Sequence, residues 1–266
     1  MKNIVFYFSG TGNNLYIAKS IAEKMKDTKL KSILRWKEEN LIDYQKIGFV
    51  FPIYNLHMPI IVEEQIKEMK FNKNQYIFGV IGHAGSRGIG MQQLKNLVGQ
   101  NEGILLGQYR VRMPGNYIVS YGAFPKRICT SLNEASKQRI SEIVEDILKE
   151  KKTVDIKNNL LGKLFFKNGK ESMEGLRKLD IGFHINEQCS KCKTCEKVCP
   201  VQNIHMTAHG PKWEHHCEQC MACIQWCPNH AIEYGEKTKD RKRYVNPYIH
   251  LSEMYIKEQL EEENIL

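Results

Sequence analysis

Eight of the chain's nine cysteines fall between Cys189 and Cys227, and their spacing constrains the fold more than any other feature. Cys189, Cys192, Cys195 and Cys199 are separated by two, two and three residues, and Pro200 follows. Cys217, Cys220, Cys223 and Cys227 repeat the run, and Pro228 follows. The chain opens without a secretory pattern: Ile4 to Phe8 is too short for an h-region, and no small-residue cleavage site comes after it. No apolar stretch reaches the roughly 18 residues of a membrane span. A cytoplasmic setting is therefore expected, where crowded cysteines serve metal or cluster ligation rather than disulfides.

The run C-x2-C-x2-C-x3-C-P is that of bacterial two-cluster ferredoxins. Two-residue gaps let three thiolates reach three irons of one cube from a single tight loop. The fourth cysteine, at a longer gap, is expected to start a helix pointing away and so to serve the neighbouring cube. Cluster one then takes Cys189, Cys192, Cys195 and Cys227, and cluster two takes Cys217, Cys220, Cys223 and Cys199. The competing reading is a pair of tetrahedral zinc sites, which C-x-x-C pairs also build. Zinc modules seldom place a third cysteine two residues on and then x3-C-P, so 4Fe-4S clusters are preferred. His205, His209, His215 and His216 lie nearby, but eight thiolates already fill two cubes, which leaves these imidazoles as surface or hydrogen-bonding groups. Ile204 to Thr207, a turn at His209-Gly210-Pro211, and Lys212-Trp213 suggest a hairpin. Apolar neighbours such as Ile185, Ile224 and Ile232 would limit solvent access to the clusters.

The first 150 residues have a different texture. Buried-strand runs at Ile4 to Phe8, Leu30 to Leu34, Ile47 to Phe51, Tyr76 to Ile81 and Gly103 to Val111 alternate with helical spacing. The helices are expected at Leu15 to Met25, from Pro59 through Met69, through Met91 to Val98, and at Glu134 to Lys149. Such alternation predicts an α/β fold, a flavodoxin-like doubly wound five-stranded parallel sheet, with a small α+β two-cluster ferredoxin-like domain after it. The expected divisions are 1–150, a linker at 151–184 packing on both domains, 185–236 for the clusters, and an extension at 237–266. Within the linker, Leu160 to Phe166 is locally amphipathic, and a polar amphipathic helix is expected from Ser252.

The first strand runs into a loop of small and polar residues: Ser9, Gly10, Thr11, Gly12, Asn13 and Asn14. It lacks the Gly-Lys-Ser/Thr of a Walker loop. A dinucleotide fingerprint is incomplete, because Leu15 takes the third glycine's place and no acid stands near Ser32; Arg35 keeps NADP as a weaker alternative. A monophosphate held by hydroxyls (Ser9, Thr11), amides (Asn13, Asn14) and glycine-exposed backbone N–H groups fits better, at the start of a helix. This is how flavodoxins grip FMN, although Asn14 stands where their pattern has a hydroxyl. Two further loops would hold the ring. Pro52, Ile53, Tyr54, Asn55, Leu56, His57, Met58 and Pro59 follow the third strand. Gly82, His83, Ala84, Gly85, Ser86, Arg87 and Gly88 follow the fourth.

Taken together, the motifs FSGTGNN, FPIYNLHMP, MPGNY (Met113 to Tyr117), both C-P runs and RYVNP (Arg243 to Pro247) make the chain resemble the flavodoxin–ferredoxin fusions of anaerobes, EFR-family ferredoxins. The resemblance implies an FMN-binding domain followed by a two-cluster domain, with Asn116 and Tyr117 bordering the flavin. The expected function is a redox relay between two 4Fe-4S clusters and FMN, exchanging electrons with an external redox protein. The alternative is an FMN-dependent reductase of a small molecule, with Tyr54, His57 or His83 supplying a proton. The net charge of +9 suits an acidic protein partner. No zinc-finger, RNP or helix-turn-helix signature accompanies it, which argues against nucleic acid. Cys129 reads as a small buried hydrophobe.

Overall fold

Every second residue of the opening strand turns to the same side, and both sides are apolar. In this computed structural model, which describes residues 2–85, 88–153 and 175–255, Ile4, Phe6 and Phe8 enter one core while Val5 enters another. A strand buried on both faces belongs to a parallel sheet covered by helices. The sheet comprises β1 (Lys2–Tyr7), β2 (Thr28–Ser32), β3 (Tyr44–Pro52), β4 (Tyr76–His83) and β5 (Leu105–Arg112). All pairings are parallel, in the order β2-β1-β3-β4-β5. That is the doubly wound flavodoxin-like order, with its switch point at β1 and β3. Helices α2 (Ile60–Lys67) and α3 (Gly90–Gln100) cover the face of Ile47, Phe49 and Ile81 with Val62, Ile66, Leu94 and Val98. Helices α1 (Asn13–Met25) and α4 (Lys126–Leu148) cover the face of Val50, Phe78 and Val80 with Ile17, Ile21, Ile140 and Ile147.

Helix α4 begins eight residues before the apolar spacing at Glu134 predicts it. Its first turns bury nothing until Asn133, and Ile128 is exposed, so periodicity is silent there. Pro125, with its fixed φ, caps the start.

The cysteine module holds β6 (Phe183–Ile185), α5 (Thr194–Lys197), β7 (Ile204–Thr207), β8 (Gly210–Trp213), α6 (Ala222–Gln225) and β9 (Ile232–Tyr234). β7 and β8 form the expected hairpin, and β6 pairs antiparallel with β9. Phe183 stacks on Trp213 (5.7 Å between centroids) and meets Tyr234 edge-on (4.9 Å), anchoring the core that also takes in Cys195, Cys199 and Cys223.

The chain divides into two compact units, one drawn from Met1–Ser9, Asn13–Gly115 and Pro125–Gly169, the other from Gly10–Gly12, Asn116–Phe124 and Lys170–Leu266. The helix expected from Ser252 does not start there: Leu251–Met254 is a single 3-10 turn that ends at the extended Tyr255. The rest of that expected helix, the expected amphipathic run at 160–166 and residues 86–87 lie outside the described residues. No helix among the described residues is long and apolar enough to cross a membrane.

Candidate cofactor sites

The two cysteine runs are a backbone repeat 28 residues apart, as 189 and 217 are. Left-handed residues occur at matching places: Lys191, Lys193 and Gln202 (φ 55°, 63° and 51°), then Gln219, Met221 and His230 (φ 51°, 63° and 50°). These reversals wrap the backbone around each second cysteine. Lys193 and Met221 each precede one turn of helix, α5 or α6, which carries the third cysteine. The expectation that the fourth cysteine starts a helix is not met: both turns end before it. The residue ahead of a proline is pushed out of helical conformation, so Cys199 and Cys227 serve as stops. In both runs the fourth sulfur accepts a backbone N–H four residues on, from Asn203 to Cys199 and from Ala231 to Cys227, each at 3.2 Å.

Cys199, Cys217, Cys220 and Cys223 line one pocket, walled by Phe183, Ile204 and Trp213. This is the ligand set read for cluster two, with the crossover cysteine from the first run. Burial above all, then the charges of neighbouring cysteines, pushes the Cys217 and Cys223 thiols well above their ordinary range. Burial likewise raises Cys220, and Cys195 in the other set, to about 12. Four ionised sulfurs there would need cationic charge in their midst, which the iron of a cluster would supply, so the donor set fits such a group. The set Cys189, Cys192, Cys195 and Cys227 is more open, with Cys192 exposed. At Cys192 burial pushes the thiol up, yet hydrogen bonds from Thr194 and Ser190 bring it below the ordinary value.

A polar network braces the buried half. Asn203, fully buried, donates to Asp180 Oδ2 (2.7 Å) and accepts from His216 N (2.8 Å). Asp180 also faces His215 Nδ1 at 2.7 Å. The His215 and His216 rings therefore make hydrogen bonds, whereas His205 and His209 are exposed and, among the described residues, His209 donates only its backbone N–H, to Thr207 Oγ1 (3.1 Å).

In the glycine loop, Ser9, Thr11, Asn13 and Asn14 are all buried. The Ser9 hydroxyl has no hydrogen-bond partner, an orphaned donor of the kind a phosphate would satisfy. The amides point elsewhere: Asn13 Nδ2 donates to Pro114 O (3.0 Å), and Asn14 Oδ1 accepts from Gly82 N (3.2 Å). The loop tip is engaged within the second unit. Trp226 Nε1 donates to Gly10 O (3.1 Å), Asn246 N to Thr11 O (2.9 Å), and Asn116 Nδ2 to Thr11 Oγ1. Gly12 has φ 88°, and a Cβ there would lie 3.1 Å from Asn246 Cβ, so two constraints demand glycine. Gln225 of α6 joins the same group, donating to Asn116 O and accepting from Tyr244 N, each at 2.7 Å. Trp226, Gln225 and Asn246 were not singled out in the sequence. Trp226 lies between two cysteines of the second run and Asn246 within RYVNP, the signals the sequence offers.

After β3, Tyr54 and His57 pair across a two-residue turn (Tyr54 N to His57 O 3.0 Å, His57 N to Tyr54 O 2.8 Å). Asn55 (φ 44°) and Leu56 (φ 72°) occupy the left-handed region, which is strained for leucine. The Leu56 carbonyl is held by Ile89 N (2.8 Å), and a Cβ on Gly88 would lie 2.3 Å from it. The loops after β3 and β4 are thus locked together. Pro52 ends β3 and is buried, His57 is buried, and burial lowers its pKa. His83 ends β4, Ala84 O accepts from Arg112 Nε (3.3 Å), and Gly85 has open space where a side chain would stand. Arg112, another residue the sequence reading passed over, is the cation described here; Arg87 is not among the described residues. Tyr117 lies in the core of the second unit with Cys217 and Cys223, and burial raises its phenol pKa. Cys129 is half-buried on α4, with its thiol likewise raised by burial.

Residues 188–232 match the 4Fe-4S dicluster domain family. Comparison with curated proteins returns no match. Among solved structures, oxidised flavodoxin 2 from Bacillus cereus is 11% identical, with a TM-score of 0.41, over 56% of this chain and 99% of its own. Flavodoxin from Streptococcus pneumonia TIGR4 is 12% identical (TM-score 0.39; 56% and 98%). A flavoprotein in complex with FMN from Lactobacillus acidophilus NCFM is 16% identical (TM-score 0.32; 41% and 92%). Strand order, not these likenesses, establishes the fold. The chain joins a flavodoxin-like α/β fold to a C-terminal 4Fe-4S dicluster domain, the arrangement of the flavodoxin–ferredoxin fusions it resembles.

Proposed function

We propose that this protein is a redox relay in which two 4Fe-4S clusters and FMN share one polypeptide and exchange electrons with an external redox protein. Cubes carry one electron at a time and flavin carries one or two, so joining them raises the effective concentration of donor at acceptor. The observation that carries the reading is the convergence, within the second unit, of cluster ligands and the glycine loop on one short helix. Between Cys223 and Cys227, Gln225 and Trp226 fix Asn116 and Gly10 by hydrogen bonds of 2.7 and 3.1 Å.

The proposed FMN residues are Ser9 to Asn14, Pro52, Tyr54 to His57, Gly82 to Gly85, Asn116 and Tyr117. Ser9 supports the phosphate assignment through its unpartnered hydroxyl. Asn13 Nδ2 and Asn14 Oδ1 hold the loop's shape, and backbone N–H groups join the Ser9 hydroxyl as donors for the phosphate. The loops after β1 and β3 flank the switch point, the usual ligand crevice of such sheets. The proposed domain limits stay at 1–150, 151–184, 185–236 and 237–266, although Gly10–Gly12 and Asn116–Phe124 associate with the second unit. FMN titration of the anaerobic holoprotein tests the flavin assignment: Ser9→Ala is expected to weaken binding about tenfold, and unchanged affinity would oppose it.

A further inference from the structure

The 28-residue repeat places equivalent positions of the two cysteine runs in opposite surroundings. Lys191, Lys193 and Lys197 of the first run correspond to Gln219, Met221 and Gln225 of the second. The three uncharged residues are all buried, at 4%, 2% and 5% exposure. Lys191 and Lys193 are exposed on either side of Cys192, itself exposed. Lys191 Nζ rests on Ala208 O (2.5 Å) of the β7–β8 turn, and Lys197 Nζ lies 4.9 Å above the Tyr255 ring. Both side chains are therefore held in place. Glu187 and Glu196 are the carboxylates of the same segment, and Glu196 lies 3.6 Å from His205 Nδ1. Backbone shape alone does not require cations here, because the second run adopts the same conformation without them.

We infer that this face, Lys191-Cys192-Lys193 with Lys197, is the docking surface for an acidic redox protein, one whose own centre is ringed by carboxylates. The inference rests on the relay reading and specifies where its external partner meets the chain. Lys191 and Lys193 on either side of the most exposed cysteine, with Lys197 on the helix that follows, would steer such a partner and hold it where the chain's thiolates come nearest to water. A second copy of this chain is disfavoured, since at a net charge of +9 two copies repel. The exchange served is outer-sphere: the partner loses one electron as this chain gains one, and no bond forms or breaks.

The test uses the anaerobic holoprotein, with a purified small acidic 2[4Fe-4S] ferredoxin as the probe, and reads equilibrium affinity across a salt series. Wild type is expected to bind at low ionic strength and to weaken steadily with salt. The Lys191→Gln/Lys193→Gln/Lys197→Gln variant should lose affinity about tenfold and lose most of the salt dependence, with iron content unchanged. Lys237→Gln/Lys239→Gln, an exposed pair elsewhere in the same unit, should behave as wild type. The inference is overturned if wild type does not bind, if the triple variant keeps its affinity, or if the control pair loses as much. It is equally overturned if the triple variant loses binding to a single-stranded oligonucleotide while keeping the ferredoxin. Because binding is the readout, a flavin that remains oxidised beside reduced clusters would sink the relay and leave this result standing.

Discussion

The two cysteine runs share spacing, left-handed positions and a single helical turn, yet one half is open to water and the other is walled in. Cys192 is exposed where Cys220 is buried. Lys193 occupies the same backbone conformation as Met221, at φ 63° in both. The comparison separates two jobs of a sequence. Cysteine and proline positions, with the left-handed turns, set the geometry of the thiols, and the residues between them set what the thiols face. In the second half those residues (Ile224, Gln225, Trp226) face protein: the module core and the glycine loop tip. In the first half Lys191 and Lys193 face solvent, Glu196 and Lys197 are half-buried, and Val198 is buried.

The largest expected effect removes a ligand from each half. Cys223→Ser breaks the buried set and should cost the dicluster domain its fold, leaving little iron and a lost thermal transition. Cys192→Ser should retain about four irons, those of the buried set. Equal losses would mean that the halves are not distinct. Next comes exchange of the equivalent non-ligands. Met221→Lys puts an unpaired ammonium where Met221 is 2% exposed, and denaturant melts should show a loss of about 3–5 kcal/mol. Lys193→Met should stay within about 0.5 kcal/mol of wild type.

Smaller effects probe the bracing of the buried half. Asn203→Ala leaves Asp180 and the His216 N–H short of partners, and a loss of about 2 kcal/mol is expected in the same melts. Trp226→Phe deletes the indole bond to Gly10 O, worth about 1 kcal/mol, together with part of a buried ring. Iron content should hold while the FMN dissociation constant rises about fivefold by fluorescence titration. A normal FMN affinity would show that the glycine loop keeps its shape without the Trp226 indole bond.

What the sequence revealed follows how locally each feature is encoded. Strand and helix alternation and both cysteine runs are local patterns, and the sheet order and dicluster domain follow from them. The first turns of α4 escaped because none of Lys126 to Leu132 is buried, so no apolar period marks them. The fourth-cysteine helix was misjudged although Pro200 and Pro228 stood beside it. The bonds from Trp226 to Gly10 and from Asn246 to Thr11 span more than two hundred residues. No local spacing encodes contacts of that kind. Asn13 and Asn14 had the right residue type, but sequence could not show their amides bound to Pro114 and Gly82.

The most direct test reconstitutes the full chain without oxygen, measures iron, sulfide and flavin, and follows stepwise reduction by EPR and visible absorbance. The account predicts about eight irons and one FMN per chain, with the flavin reduced as electrons enter through the clusters. Four irons or fewer, or a flavin that stays oxidised while both clusters are reduced, would contradict it.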